Sequence, residues 1–458
     1  MESEPVRDVI VEDIAAEKRN ALVGGPFGSN LVSRDYVESG VPVIRGQNMG
    51  SGRWLCGEFA YVSEEKAESL SANLARPGDV VFTQRGTLGQ VAIVPDDGPH
   101  EKYVISQSQM KLSPDLAKVD PLYLYYEFTG PHQLAYIANN AIQTGVPHTN
   151  LTILRNTPLT LPPLTEQKAI AHILGTLDDK IELNRRMNAT LEGMAQALFK
   201  SWFVDFDPVI DNAIKAGNPI PDEFADRAEV RRQALANGTA NREAAKAFPA
   251  GFQETESMGW IPKGWEVGQL VENVRLTMGQ SPSSDHYNKD GNGLPFHQGV
   301  TNYGERFPKH EQYSTGGNRY AEEGDILLSV RAPVGRINIA NCRLIIGRGL
   351  SALRHKKDYQ GLLVYFLKHT FATEDSIGSG TIFNAVNKKE MERIALIISP
   401  DQIAKSFNDI ATSLDEKIAS NAEQTDCLTK LRDTLLPKLI SGELRIPEAE
   451  QLTNEALS

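Results

Sequence analysis

The residues whose types and spacing come nearest to catalysis are two acidic triplets, Asp178-Asp179-Lys180 and Asp415-Glu416-Lys417. They have the (Asp/Glu)-x-Lys form with which metal-dependent nucleases hold a divalent cation and activate water. That chemistry needs the carboxylates at the end of a strand beside another Asp. Here each triplet is flanked by Leu and Ile at heptad spacing, which predicts a solvated helix face with i to i+4 charge pairs and no nuclease. No Gly-x-x-x-x-Gly-Lys-Ser/Thr nucleotide loop, Gly-x-Ser-x-Gly elbow or His-Glu-x-x-His motif occurs. The nine His residues show no ligand spacing. Asp207-Pro208-Val209 and Pro162-Pro163-Leu164 fall short of the Asn/Asp-Pro-Pro-aromatic and Pro-Cys motifs of base methyltransferases. The chain reads as noncatalytic.

The triplets sit in a duplication. Leu177-Asp178-Asp179-Lys180-Ile181-Glu182-Leu183-Asn184 returns as Leu414-Asp415-Glu416-Lys417-Ile418-Ala419-Ser420-Asn421. Upstream, Gly78 to Arg85 with Gly89 is echoed by Gly324 to Arg331 with Gly335, and Gly40 to Val43 with Gly46 by Gly293 to Phe296 with Gly299. In each half a glycine-rich β pattern comes first and a long helix last. The period is far too long for a solenoid. One globular-plus-helix unit has been duplicated, which predicts approximate two-fold symmetry and two similar surfaces.

The elements that position these residues follow from periodicity. Ile170, Leu174, Leu177, Ile181, Asn184, Asn188, Leu191, Ala195, Leu198 and Trp202 step by four and three, as do Phe407, Ile410, Leu414, Ile418, Asn421, Thr425, Leu428, Leu435 and Leu439. This is the period of a coiled coil. Packing the two stripes on each other, antiparallel under a two-fold, buries both over about 60 Å. Asn184 and Asn421 share one seam position, where they either fix the register or face solvent. Short β-branched and aromatic runs (Val41 to Ile44, Val80 to Thr83, Val91 to Val94) and the helical pattern Pro121 to Thr129 make the first domain mixed α/β. The boundaries read as a domain at 1–162, a helix at 163–204, a partly helical connector at 205–258, a second domain at 259–399, a second helix at 400–443 and a polar tail at 444–458.

At 458 residues, 40% hydrophobic and 23% charged, the composition is that of an ordinary multi-domain soluble protein. The start, Met1-Glu2-Ser3-Glu4-Pro5, lacks the pattern of a signal peptide. The apolar runs are too short to span a membrane, and Cys56, Cys342 and Cys427 are too scattered for disulfides or zinc. A cytoplasmic, reduced protein with no membrane partner is expected. The net charge of −12 argues against nonspecific coating of nucleic acid. Locally, however, Arg331 to Lys357 carries seven Lys or Arg residues and no Asp or Glu, reading as either a solvated face or an anion-facing surface.

These residues resemble the specificity (S) subunit of type I restriction–modification systems over nearly the whole chain. Leu164-Thr165-Glu166-Gln167-Lys168-Ala169-Ile170-Ala171 through Leu198 to Pro208 is similar to the central conserved region. Gly259-Trp260-Ile261-Pro262-Lys263-Gly264-Trp265 is similar to the entry into the second target-recognition domain, and Leu431 to Leu444 to the distal conserved region. The resemblance implies an α/β (mixed α+β) fold with two similar target-recognition domains separated by two long antiparallel coiled-coil helices, with a pseudo-two-fold from internal duplication. It implies a noncatalytic subunit that reads a bipartite, asymmetric site in double-stranded DNA, one half-site per domain. The helices set the unread spacer; a helix of about 60 Å spans roughly 17 base pairs. Implied partners are two methyltransferase (M) subunits and motor-nuclease (R) subunits. S-adenosylmethionine, ATP and magnesium would be used by those partners and none bound by this chain.

Direct readout of bases favours Arg or Lys on guanine and Asn or Gln on adenine. Candidate DNA-binding residues are therefore Arg45, Gln47, Asn48, Gln84, Arg85 and Thr87 in the first domain, and His297, Gln298, Arg331, Arg336 and Arg348 in the second. Candidate helix-pair packing residues are Leu177, Ile181, Asn184, Leu191, Leu414, Ile418, Asn421 and Leu428. Because the two half-sites differ, features shared by both halves, such as Arg85 and Arg331, point to scaffold or phosphate contact. Half-specific neighbours such as Gln84 against Val330 point to readout. The competing reading is a coiled-coil scaffold that joins two protein ligands without reading bases.

Overall fold

A computed structural model describes residues 6–50, 52–143, 146–372, 376–377, 381–382 and 385–457. The chain forms two compact units: one of residues up to Leu183 together with those from Thr425 onward, the other Asn184–Gln424. Two 40-residue helices, central (Leu164–Phe203) and distal (Asp401–Ile440), each begin in one unit and end in the other.

The duplication is realised strand by strand. In the first domain a four-stranded antiparallel sheet runs in the order Leu22–Gly24, Gln109–Leu112, Val80–Thr83, Val91–Ile93. The second domain repeats it as Val274–Met278, Leu350–His355, Ile326–Ser329, Ile337–Ile339. A five-stranded sheet, with one parallel pair at its centre, likewise recurs: Val41–Ile44 lies parallel to Tyr103–Ile105, and Leu294–His297 to Leu344–Ile346. In each half an early strand pairs antiparallel with the last one before the long helix, Arg7–Ile10 with Pro158–Leu161 and Glu266–Gln269 with Ala395–Ile398. A domain helix follows the sheet strands in each half, Pro121–Thr129 and Gln360–Thr370, with further helices after it.

Within each unit the helix seams are buried. Leu177 and Ile181 share the first unit's core with Leu428 and Leu435. In the second unit Ile418 is buried, Leu414 packs partly on the core, and Leu191 is half-buried. Asn184 and Asn421 are 1% and 3% exposed, so they do not face solvent. The Asn184 amide donates to Gln424 Oε1 at 2.9 Å, Asn421 donates to Asn188 Oδ1 at 2.9 Å, and Asn188 donates to the Ile418 carbonyl at 3.2 Å. Each partner number falls as the other rises, so the pairing is antiparallel.

Three expectations are corrected. Ile410 is 42% exposed, and its neighbour Ala411 takes the inward position, against Gly361 of the domain helix. A β-branched side chain could not approach that closely. Residues 444–458 are no polar tail: Ile446–Leu457 is helical, and Ile446, Ala449, Ala456 and Leu457 lay an apolar stripe on the first unit's core. The acidic triplets are only partly solvated: Asp179, Glu416 and Lys417 are exposed, but the first carboxylate of each is not. Asp178 and Asp415 are largely buried, each accepting a hydrogen bond from a tyrosine of its own unit's recognition domain.

The connector folds into the second unit through the helices Asp207–Ala216, Ala225–Ala236 and Arg242–Ala245. Its Phe206, Val209 and Phe248 are buried with Phe199, Trp202, Phe203 and Trp265. Asp207 and Asp211 beneath them are neutralised by Arg227 and Arg231 at 2.6 Å each.

Candidate nucleic-acid interface

In both domains the chain gathers three loops at one end of the four-stranded sheet, held by main-chain hydrogen bonds that recur in the two halves. The Gly25 amide donates to the Gln109 carbonyl at 2.8 Å, as that of Gly279 does to Leu350 at 2.9 Å. Gln84 donates to Ser108 at 2.7 Å, as Val330 does to Gly349 at 2.9 Å. Ser106 donates to Ile44 at 3.0 Å, as Gly347 does to His297 at 2.8 Å. These contacts set up equivalences: Arg45 with Gln298, Arg85 with Arg331, Gln107 with Arg348, and Phe27 with Ser281.

Gly25 and Gly279 are required where two loops cross. A Cβ on Gly25 would lie 2.0 Å from the Ser106 carbonyl oxygen, and one on Gly279 would lie 2.1 Å from that of Gly347. No side chain fits against main chain at that distance. The crossing brings the Gly24–Asn30 loop beside Gln84 and Gln107, and the 279–283 loop beside Gln298 and Arg348.

Around this frame the candidates separate. Gln47, Arg85, Thr87, Gln298, Arg331, Arg336 and Arg348 are exposed, and Gln84 is half-buried at the loop crossing. The Gln298 Oε1 accepts a hydrogen bond from the Ser281 hydroxyl at 2.6 Å, which in turn lies 3.3 Å from the Arg348 amide. Gln47 reaches back to the Glu58 carbonyl at 3.2 Å, and Arg45 is half-buried.

Asn48 and His297 are not placed to read bases. Asn48 is 0% exposed; its Oδ1 accepts from the Arg45 amide at 3.0 Å and its amide donates to the carbonyls of Cys56 and Glu58 at 3.1 and 2.9 Å. It locks a turn. His297 is 3% exposed, with Nε2 3.0 Å from His310 Nδ1. Burial, with the neighbouring His310, holds its pKa down to about 4, so it is neutral at pH 7.

The cationic run also divides. Arg343 pairs with Glu322 at 3.2 Å, Arg354 with Asp325 at 2.5 Å and Lys357 with Asp401 at 2.8 Å, while Lys356 donates to the Val271 and Glu272 carbonyls at 2.8 and 2.9 Å. Arg331, Arg336 and Arg348 remain exposed around the loops.

Sequence reasoning missed four residues at the same end. Gln107 and Gln280 are exposed, Ser281 contacts Gln298, and Phe27 is 85% exposed at a loop tip. The signal was the glycine preceding each first loop, Gly25 and Gly279, which aligns Phe27 with Ser281 once the duplication is extended upstream. What the surface offers is bidentate donors and acceptors suited to base edges, arginines suited to phosphate, and one apolar ring. Among the described residues no cluster of three His, Cys, Asp or Glu is placed to hold a metal ion, and no helix is long and apolar enough to cross a membrane.

Comparison with known proteins agrees with this architecture. Residues 32–193 and 262–430 match the family described as type I restriction modification DNA specificity domain, once per half. The chain is 28% identical over 425 residues to the putative type I restriction enzyme MjaX specificity subunit of Methanocaldococcus jannaschii, covering 89% of this chain and 88% of that one. It is 27% identical over 452 residues to the HindI specificity subunit of Haemophilus influenzae, covering 91% and 97%. The crystal structure of a type I restriction–modification S subunit from M. genitalium shares the fold with a TM-score of 0.54 at 15% identity, over 95% of this chain and 96% of that one. A mixed α/β chain with two such domains linked by a long helix belongs to the type I restriction–modification specificity-subunit family.

Proposed function

We propose that each domain reads one half of a split, asymmetric DNA sequence through its loop cluster. The observation that carries this reading is the pairing of an identical main-chain frame with different side chains. Gln107 stands where the other half has Arg348, Arg45 where it has Gln298, Gln84 where it has Val330, and Phe27 where it has Ser281. A frame used twice with different hydrogen-bonding faces suits two half-sites of different sequence. Arg85 and Arg331, alike in both halves, suit phosphate.

In this reading the two 40-residue helices set the length of the unread spacer and offer two similar docking regions to two methyltransferase subunits, on which motor-nuclease subunits assemble. S-adenosylmethionine, ATP and magnesium then belong to those partners, and the chain itself catalyses nothing. The carboxylates nearest to a catalytic pattern support this, since Asp178 and Asp415 are engaged by Tyr126, Arg432, Tyr365 and Arg306 rather than open to a cation.

The test is a genome-wide modified-base map from a methylation-free host expressing this chain with its neighbouring methyltransferase subunit. A split motif with a fixed gap, lost when the chain is omitted, is the expected result. No motif from a verified complex would overturn base readout and favour a scaffold that joins protein partners.

A further inference from the structure

The duplicated acidic triplet has a role in the fold that recognition of bases does not use. In the first unit, the Tyr126 hydroxyl on the domain helix donates to Asp178 Oδ2 of the central helix at 2.6 Å. Arg432 of the distal helix donates to Asp178 Oδ1 at 2.7 Å. Arg53, from a loop of the recognition domain, pairs with Asp179 and donates to the Gly175 carbonyl at 2.9 Å. In the second unit, the Tyr365 hydroxyl donates to Asp415 Oδ1 of the distal helix at 3.0 Å, and Arg306 pairs with the same oxygen at 3.0 Å. Lys368 adds an ion pair to Glu192 of the central helix at 2.6 Å.

The two arginines occupy one structural position. The Arg53 carbonyl accepts from the Ile93 amide at 2.7 Å, and the Arg306 carbonyl accepts from Ile339 at 3.0 Å. Tyr126 and Tyr365 sit on equivalent domain helices, and Asp178 and Asp415 are the same residue of the repeat. A contact kept in both halves, where the readers differ, serves something both halves need. It is also charge-assisted, and apart from the exposed Asp179 its side chains are largely buried, so it holds orientation as well as distance. A domain free to swivel on its helix would accept its half-site at more than one separation from the other.

We propose that these two Tyr–Asp–Arg clamps, Tyr126–Asp178/Asp179–Arg53 and Tyr365–Asp415–Arg306, are positioning residues that hold each recognition domain in one orientation on its helices and so make the complex intolerant of any spacer but one. The inference rests on the half-site reading above. The experiment uses the full chain with its methyltransferase partner and a set of duplexes carrying both half-sites with the native spacer, or one base pair longer or shorter. Y365F and D415N, and in the first half Y126F and D178N, should raise methylation at the wrong spacers relative to the native one roughly tenfold, with the half-site bases unchanged. K405A, which removes an exposed ion pair to Asp409 away from the clamps and the helix seam, should leave that ratio alone. Tyrosine variants that melt lower yet keep the wild-type spacer ratio would reduce the clamps to ordinary packing and overturn the proposal. Y365F and Y126F each remove only a hydroxyl, so they keep the test open if D415N or D178N does not fold. If the wild-type complex methylates no split motif, it is the half-site reading that fails.

Discussion

Asn421 donates its side-chain amide to Oδ1 of Asn188 across the helix pair at 2.9 Å, in a polar stretch of the seam that also holds the Asn184–Gln424 bond and is flanked by apolar residues. Sliding the helices by one heptad would set each of these amides against aliphatic carbon, so the pair specifies a single register. N421A should destabilise the chain by about 1–3 kcal/mol in urea unfolding, because it removes the buried Asn421 amide and leaves the half-buried Asn188 acceptor unpaired. The double variant N188A/N421A should cost less than the sum of the two single changes, with a coupling of about 1 kcal/mol. Additive effects would show that the two side chains do not depend on each other.

Substitutions in the loop clusters should change sequence preference one half at a time. R348A is expected to relax one position in one half-site, and Q107A one position in the other, each at about 1–3 kcal/mol of discrimination. N48A, by contrast, should move no base preference and lower stability by about 1–3 kcal/mol, since it strips three hydrogen bonds from a buried turn. A modified-base map of each variant separates these outcomes.

His297 gives the second unit an acid limit. Its folded pKa of about 4 lies below the ordinary 6.5, so the fold binds fewer protons there than the unfolded chain does. The stability from the neutral imidazole is complete above pH 6.5 and declines as pH falls toward 4, reaching a loss of up to about 3 kcal/mol. H297N should flatten that decline in the pH dependence of urea unfolding. An unchanged slope would mean that His297 is not the group responsible.

The C-terminal helix should matter to the first unit alone. Ala449 is fully buried against that unit's core, and A449D would place a charge there at a cost of about 3 kcal/mol or more. Hydrogen exchange should quicken through the strands and helices of the first unit and stay unchanged in the second. Equal loss in both would mean that the two units do not unfold separately.

The duplication, the helix seams and the strands at Val41, Val80 and Val91 were legible because each repeats a spacing that sequence displays directly. The readers were less so. Asn48 and His297 have the chemistry of base contacts, but residue type does not tell which side of a turn faces inward. Asn48 acts three residues after Arg45 as the acceptor that closes its own turn. Gln107 lies in a short turn with no periodic mark. The seam at Ile410 failed because the distal helix there faces a domain helix through Gly361, which asks for the small Ala411. Asp178 looked solvated because its neutralising partners, Tyr126 and Arg432, lie 52 and 254 residues away.

The glycine crossing at Gly25 and Gly279 has a consequence for inheritance. What excludes a side chain at each glycine is the main chain of the facing loop, so the crossing does not depend on which residues ring it. Lineages can therefore exchange the exposed amino acids of one loop cluster with little penalty to folding, and without touching the other half of the gene. On the half-site reading proposed above, a few codons would then be enough to change the sequence that one half recognises while the rest of the chain is kept.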